Sequence, residues 1–213
     1  MNDSIVLFRK NIQAVRHLGD IHSWLNLHAS TMNIDDILRA QLTNLSSALD
    51  KFIHDVVKIG MTEIFLGKRT AQNNKIKDFK IKQSVAEDLF KQGNLGKEFI
   101  FIKLVETEHS TESFQSSKSI KDALTLLSVG DIWRKIAEYL FQKCSIIISV
   151  SDIERKLDLI YKRRNQIVHE SDVEQVVTYI FKYREIKKED VNENIDFIAN
   201  VCEAIFYVII NNP

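Results

Sequence analysis

Punctuation is what this chain lacks. Its 213 residues include six Gly and one Pro, and that Pro is the final residue. Gly and Pro are the strongest local breakers of regular structure, so a chain this poor in both is predicted to run in long helices rather than in a many-turned β fold. The apolar spacing agrees. Residues 4 to 28 read as an amphipathic helix with Ile5, Phe8, Ile12, Val15, Leu18 and Leu25 near one face. Asn33 is placed as the cap of a second helix, with Asp35 and Asp36 in the first turn, where the helix dipole favours carboxylates. Its stripe continues through Leu38, Leu42, Leu45, Leu49, Phe52 and Val56 toward Phe65, which predicts a spine on the order of 45 to 50 Å long.

Beyond the spine, Gly67 to Ile76 is polar and basic and reads as a mobile loop, and helical spacing returns over 78 to 92. Phe99-Ile100-Phe101-Ile102 alone would suit a strand, but the neighbouring pattern from Glu98 to Glu108 reads as helix. The Ser-rich run Ser110 to Ser119 is expected to be a loop, a place for disorder or a hinge. Helices are predicted at 119 to 129, at 132 to 143 behind an Asp131 cap, at 152 to 169 with Ser151 and Glu154 as a capping box, and at 188 to 210. A variable connection precedes the last. The expected organisation is an N-terminal helix, residues 1–32, lying on an all-α bundle of residues 33–213. No internal repeat and no Gly-rich phosphate loop is found.

Hydrophobic residues make up 45% and charged residues 27%, as in an ordinary soluble globular chain. Basic and acidic residues balance at 29 each, so the molecule as a whole has no strong attraction for nucleic acid and any such contact must be local. Cys144 and Cys202, both in apolar surroundings, fit buried thiols in a reducing cytoplasm and form no zinc motif. Ile5-Val6-Leu7-Phe8 is too short for a signal-peptide core or a membrane span, so a cytoplasmic location with no membrane partner is expected. No cofactor motif is present. Trp133 is read as core, with base stacking as the other reading.

The sequence Arg163-Arg164-Asn165-Gln166-Ile167-Val168-His169-Glu170 closes the predicted 152–169 helix. It brings a permanent guanidinium, an amide and an imidazole within about a turn and a half. Ile153, Leu157, Ile160, Ile167 and Val168 form the apolar stripe of that helix, and Arg164 falls in its middle. A charge there must meet an anion, a buried partner or another subunit. Imidazole titrates near neutrality, so His169 can act as base or acid. Arg164 presents a planar fork matched to phosphate oxygens, and Asn165 can orient a hydroxyl or phosphate oxygen. Lys162 and Arg163, within the cluster Lys156-Lys162-Arg163-Arg164, are candidate RNA contacts, as is the flanking cluster Lys182-Arg184-Lys187-Lys188; a solvated helix face is the bland reading of each.

The string Arg-Arg-Asn-x-x-Val-His-Glu followed by Ser171-Asp172 resembles the signature of HEPN domains, all-helical proteins usually assigned as metal-independent ribonucleases. The likeness extends to the RiboL-PSP-HEPN branch through Ile37 to Leu42 and Ala48 to Asp55, which look like its first long helix, and through Ser113 to Ser116, Ile120 to Leu124 and Asp131 to Ala137, which are similar to its middle. The resemblance implies a helical bundle of HEPN type with a long spine helix. It also implies an RNA substrate, a site at a cleft between two subunits, a role as a toxin or in defence against phage, and an antitoxin protein as partner.

RNA supplies its own nucleophile, the 2′-hydroxyl, so the reaction needs a proton acceptor, a proton donor and a cation for the crowded phosphorane. One chain offers one motif histidine. A two-fold dimer would supply both. On a regular helix Arg164 and His169 lie about 140° apart, while Asn165 and His169 share a face. Either the last turn is distorted, or Arg and His act from opposite subunits. Asp50 and His54, four apart on the spine, are read as a structural pair or as supporting residues of the site, with Asp50 also a mate for Arg164. Glu170, beside the imidazole, is placed with them. A reading from a different class stays open: a non-catalytic helical module that binds a nucleotide or a partner protein.

Overall fold

The protein's structure, a computed structural model, describes residues 2–29, 32–71, 76, 79–128, 130–177 and 180–210. Its centre is a pair of long helices, α1 (Asn2–His28) and α2 (Asp35–Phe65). Leu38, Leu42, Leu45, Leu49, Phe52, Ile53 and Val56 recur every three or four residues on α2, and all are buried. At 31 residues α2 runs about 46 Å, the expected spine. α1 covers one flank of it with Ile5, Phe8, Ile12 and Val15, and the Phe8 and Phe52 rings meet at 5.0 Å. Each such apolar side chain stabilises the fold by about 1.5–3 kcal/mol when fully buried.

The other helices are α3 (Gln83–Lys91), α4 (Asn94–Glu108), α5 (Ser117–Leu124), α6 (Ile132–Cys144), α7 (Val150–His169) and α8 (Lys188–Ile210). Phe99 to Ile102 is helical, inside α4. α8 lies against α1, α2 and α6, and its Val191, Ile195, Ile198, Val201, Ile205 and Ile209 are all buried. Trp133 on α6 is fully buried in the same core, which leaves it no face for base stacking. Gly60 permits close approach of α2 to the turn after α5: a Cβ there would lie 2.6 Å from a Leu127 methyl.

Local chemistry sets the helix ends. Asp131 accepts the Trp133 N–H at 3.1 Å, as its sequence position predicts. Asn33 accepts the Asp35 N–H at 3.1 Å, although Ile34 occupies the cap position itself. α7 begins two residues earlier than expected: Ser149, not Ser151, is the cap, and its hydroxyl accepts the Asp152 N–H at 3.1 Å.

Two expectations change, and a third falls partly outside the described residues. The Ser-rich segment is fastened rather than loose, because Phe114 N–H donates to Asp50 Oδ1 at 2.6 Å and Ser117 donates twice to the Asp158 carboxylate on α7. The expected polar loop after Gly67 lies partly outside the described residues; near its start Arg69 is buried and donates to the Ile209 carbonyl at 2.8 Å. Cys144 is exposed at the end of α6, while Cys202 is buried and its thiol is pushed well up by desolvation.

The connection before α8 is an antiparallel hairpin of β1 (Val173–Val177) and β2 (Ile180–Tyr183). Val173 pairs with Tyr183 and Glu174 with Lys182, with an irregularity between Gln175 and Val177. Val176, Val177, Ile180, Phe181 and Tyr183 all remain more than half exposed. Among the described residues this is the sole sheet of an otherwise all-α fold.

Candidate active site

Ile153, Leu157 and Ile160 anchor α7 in the core, which fixes the azimuth of everything downstream on that helix. The helix closes after His169. Glu170 N–H and Asp172 N–H both donate to the Gln166 carbonyl, at 3.1 and 2.9 Å. Ser171 and Asp172 take left-handed backbone, φ 51° and 55°, so the chain turns sharply away from the imidazole.

Three of the expected residues come together at this end. Arg164 Nη1 donates to Asn165 Oδ1 at 3.0 Å and lies 3.4 Å from His169 Nε2. With that nitrogen unprotonated, the guanidinium donates to it. The two residues therefore meet within one chain, since the long arginine stem spans the angular gap that a helical wheel shows. His169 is exposed and Arg164 half-buried, with its Nε buried and unpartnered among the described residues. Arg164 meets no carboxylate among those residues. Its charge stays free beside the imidazole.

The adjacent Arg163 behaves in the opposite way. Its guanidinium grips both oxygens of the fully buried Asp172 carboxylate, Nη2 at 2.9 Å from Oδ2 and Nη1 on Oδ1. Nη2 also donates to the Glu185 carbonyl at 3.1 Å. Arg163 is thus occupied by a protein anion and is not the free cation expected to touch RNA. The buried ion-pair role foreseen for Arg164 falls one residue earlier.

Most of the flanking cations are engaged as well. Arg184 pairs with Glu170 at 3.1 Å, Lys182 with Glu174 at 3.3 Å and Lys187 with Glu185 at 3.4 Å. Lys156 lies 5.0 Å over the Phe197 ring, and Lys188 donates to Ser23 Oγ at 2.7 Å. Lys162 is exposed. Glu170 turns to Arg184 rather than to the imidazole. A cavity of about 340 Å³ between α7 and α8 has Arg155, Lys156 and Arg163 on its wall, but none of Arg164, Asn165 and His169. His169 is exposed, while Arg164 and Asn165 are half-buried.

Asp50 and His54 are not joined to the motif. Asp50 is held by the Phe114 N–H, His54 Nε2 lies 3.9 Å from Asp50 Oδ1, and the His54 ring packs on Phe114 at 4.5 Å. Asp50 is eleven residues along α2 from Arg39, the spine residue that does reach the motif end, which amounts to about 16 Å of helix. The expectations of Asp50 as mate of Arg164, and of both as supporting residues, are corrected to a role in fastening the segment before α5. His109 adjoins this cluster. Burial, and then the proximity of His54, holds its imidazole below the usual histidine range.

A model of the RiboL-PSP-HEPN family matches residues 8–211. The chain belongs to that family. The match takes in α1 from its second turn, the spine, the motif helix and α8. No curated protein and no solved structure matches this HEPN chain. HEPN domains are often associated with ribonuclease activity, and the match carries that association without naming a reaction. Among the described residues no helix is long and apolar enough to cross a membrane, and no three His, Cys, Asp or Glu side chains group as metal ligands.

Sequence reasoning missed Arg39, Asp172 and the hairpin as parts of this end of the molecule. The run Val173 to Tyr183, dense in β-branched and aromatic residues, carried a strand signal that could have exposed the hairpin. Nothing local marks Arg39, because its partner lies 133 residues away.

Proposed function

We propose that this HEPN protein is a metal-independent endoribonuclease of the cytoplasm, working as a two-fold dimer with a composite site. The supporting observation is the free guanidinium of Arg164, 3.4 Å from the exposed imidazole of His169 and tied to Asn165. A half-buried cation next to a proton-transfer group, with no carboxylate partner among the described residues, is suited to a phosphodiester.

In this reading the 2′-oxygen of RNA attacks the adjacent phosphorus as His169 of one subunit takes its proton. The bond from phosphorus to the 5′-oxygen breaks, and the second subunit's histidine protonates that oxygen. The products are a 2′,3′-cyclic phosphate and a 5′-hydroxyl. Arg164 holds the non-bridging oxygens as charge builds on them, and Asn165 aligns the guanidinium and the phosphate. Lys162 supplies a backbone contact. The exposure of His169 beside the half-buried Arg164 and Asn165 fits half a site, which a second copy would wall. A toxin or phage-defence role, with an antitoxin protein that covers this face, belongs to the same proposal.

The test is cleavage of a defined RNA in excess EDTA with analysis of the termini. Cyclic phosphate ends that persist under chelation are expected. Activity that vanishes with EDTA and returns with magnesium would overturn the mechanism, and light scattering that gives a monomer at tens of micromolar would remove the composite site.

A further inference from the structure

Three residues past His169, a carboxylate sits in the interior with no exposed surface. Asp172 accepts from Arg39 Nε at 2.7 Å and from both terminal nitrogens of Arg163, one at 2.9 Å. Its N–H goes to the Gln166 carbonyl at 2.9 Å, and its own carbonyl takes the Arg184 N–H at 2.8 Å. Arg39 also reaches the Arg184 carbonyl at 2.9 Å. One residue therefore joins α2, the last turn of α7 and the strand exit of the hairpin. We infer that Asp172 is the positioning residue of the site, clamping the turn after α7 so that His169 is held against Arg164 while Arg163 is kept away from substrate. This assignment rests on the reading of Arg164 and His169 given above.

Two features separate the clamp from a pair that only adds stability. A buried ion pair brings little net stabilisation once desolvation is counted, whereas it does fix geometry. The geometry fixed here is an uncommon one: Ser171 and Asp172 are consecutive non-glycine residues with left-handed φ, a region such residues visit singly rather than in succession. Charge selection is the second feature. Adjacent arginines offer two cations to an incoming phosphate; the Asp172 carboxylate neutralises Arg163 and leaves Arg164 open, so a single guanidinium is presented at one defined distance from the imidazole. Arg39 has Asp36 at 3.2 Å, which balances the cluster at two cations and two anions.

The deciding experiment compares the full-length parent with Asp172→Asn, which tolerates left-handed backbone and keeps shape while deleting the charge, and with Arg163→Lys, which keeps a cation but loses the two-pronged grip. Two readouts are taken: RNA cleavage, with kcat and KM separated, and the NMR signals of the His169 ring in selectively labelled protein. Asp172→Asn should lower kcat at least tenfold with KM changed less than threefold, and should broaden or double the His169 ring signals; Arg163→Lys should do the same to a smaller degree. It also carries both readouts if Asp172→Asn does not fold. A lower melting temperature with kcat and the His169 signals unchanged would reduce the cluster to a structural one and overturn the assignment. If the parent itself cuts no RNA, the ribonuclease reading fails, and the His169 signals still decide whether Asp172 positions that ring.

Discussion

Arg164 Nη1 reaches to 3.4 Å from His169 Nε2 across five residues of a single helix, a span at which helical geometry alone turns the two Cα positions about 140° apart. The helix does not produce the contact. The flexible arginine stem does, and Asn165 Oδ1 steadies it from the intervening face at 3.0 Å.

Because the contact strands no buried anion, its members should be separable from folding. His169→Ala and Arg164→Ala should each cost about 1 kcal/mol or less in stability, within the range of substitutions that break no buried network. RNA cleavage should fall by about two or more orders of magnitude in each if the groups act in the slow step. Arg164→Lys should fold like the parent and cut less, having charge without the fork. Melting temperatures set against cleavage rates test this; a His169→Ala protein that cuts as well as the parent would return the site to the binding-module class.

Helix content was legible in the sequence wherever an apolar stripe ran long enough to outvote local propensity, as on α2 and α8, whose limits are matched closely. It blurred where polar residues carried the structure. Ser149 and Ser151 are equally good caps by type, and only the observed bond to the Asp152 N–H separates them. The motif was legible as a cluster of residue types but not as wiring. Arg163 and Arg164 are identical residues side by side, and which one is buried against a carboxylate depends on where Arg39 and the hairpin arrive in space, and no local pattern encodes that. Asp50 misled for a related reason. Its true partner is a backbone N–H at Phe114, and backbone donors leave no trace in a residue pattern.

Asp50→Ala should therefore loosen the segment before α5 and spare the candidate active site. It removes the acceptor of a half-buried N–H, a loss of about 1–3 kcal/mol. Amide exchange at Phe114 should quicken by an order of magnitude or more while cleavage stays near the parent rate. A fall in cleavage at unchanged Phe114 exchange would restore Asp50 to the site.

Gly60→Ala should destabilise although alanine is the better helix former. The added methyl would sit 2.6 and 2.7 Å from the two methyls of the fully buried Leu127, so that side chain must shift within the core to admit it. Overfilling of this kind costs about 1–3 kcal/mol, more than the gain of up to about 1 kcal/mol in helix propensity. Chemical denaturation of the single variant, and of Gly60→Ala with Leu127→Ala, measures both sides; the second change should recover part of the contact cost.

Acid should weaken the fold in a window set by two histidines. Burial is the largest cause lowering the pKa of both His22 and His109; Lys188 adds to it for His22 and His54 for His109. A histidine held neutral in the fold but free to ionise when unfolded means that the unfolded chain binds more protons below its ordinary pKa, near 6.5. The stability these residues contribute is therefore complete above about pH 6.5 and is lost as pH falls from there through their depressed folded values. Glu106, lowered chiefly by its hydrogen bond to Lys58, gives the same sign, but only near and below the ordinary carboxylate range, so the interval from about pH 7.5 to 5.5 isolates the imidazoles. Thermal melts across that interval should show the transition temperature dropping with acid, and His109→Gln, which cannot ionise, should flatten the slope. A transition temperature that holds or rises as pH falls would mean that these rings gain a partner on protonation, the reverse of what their burial implies.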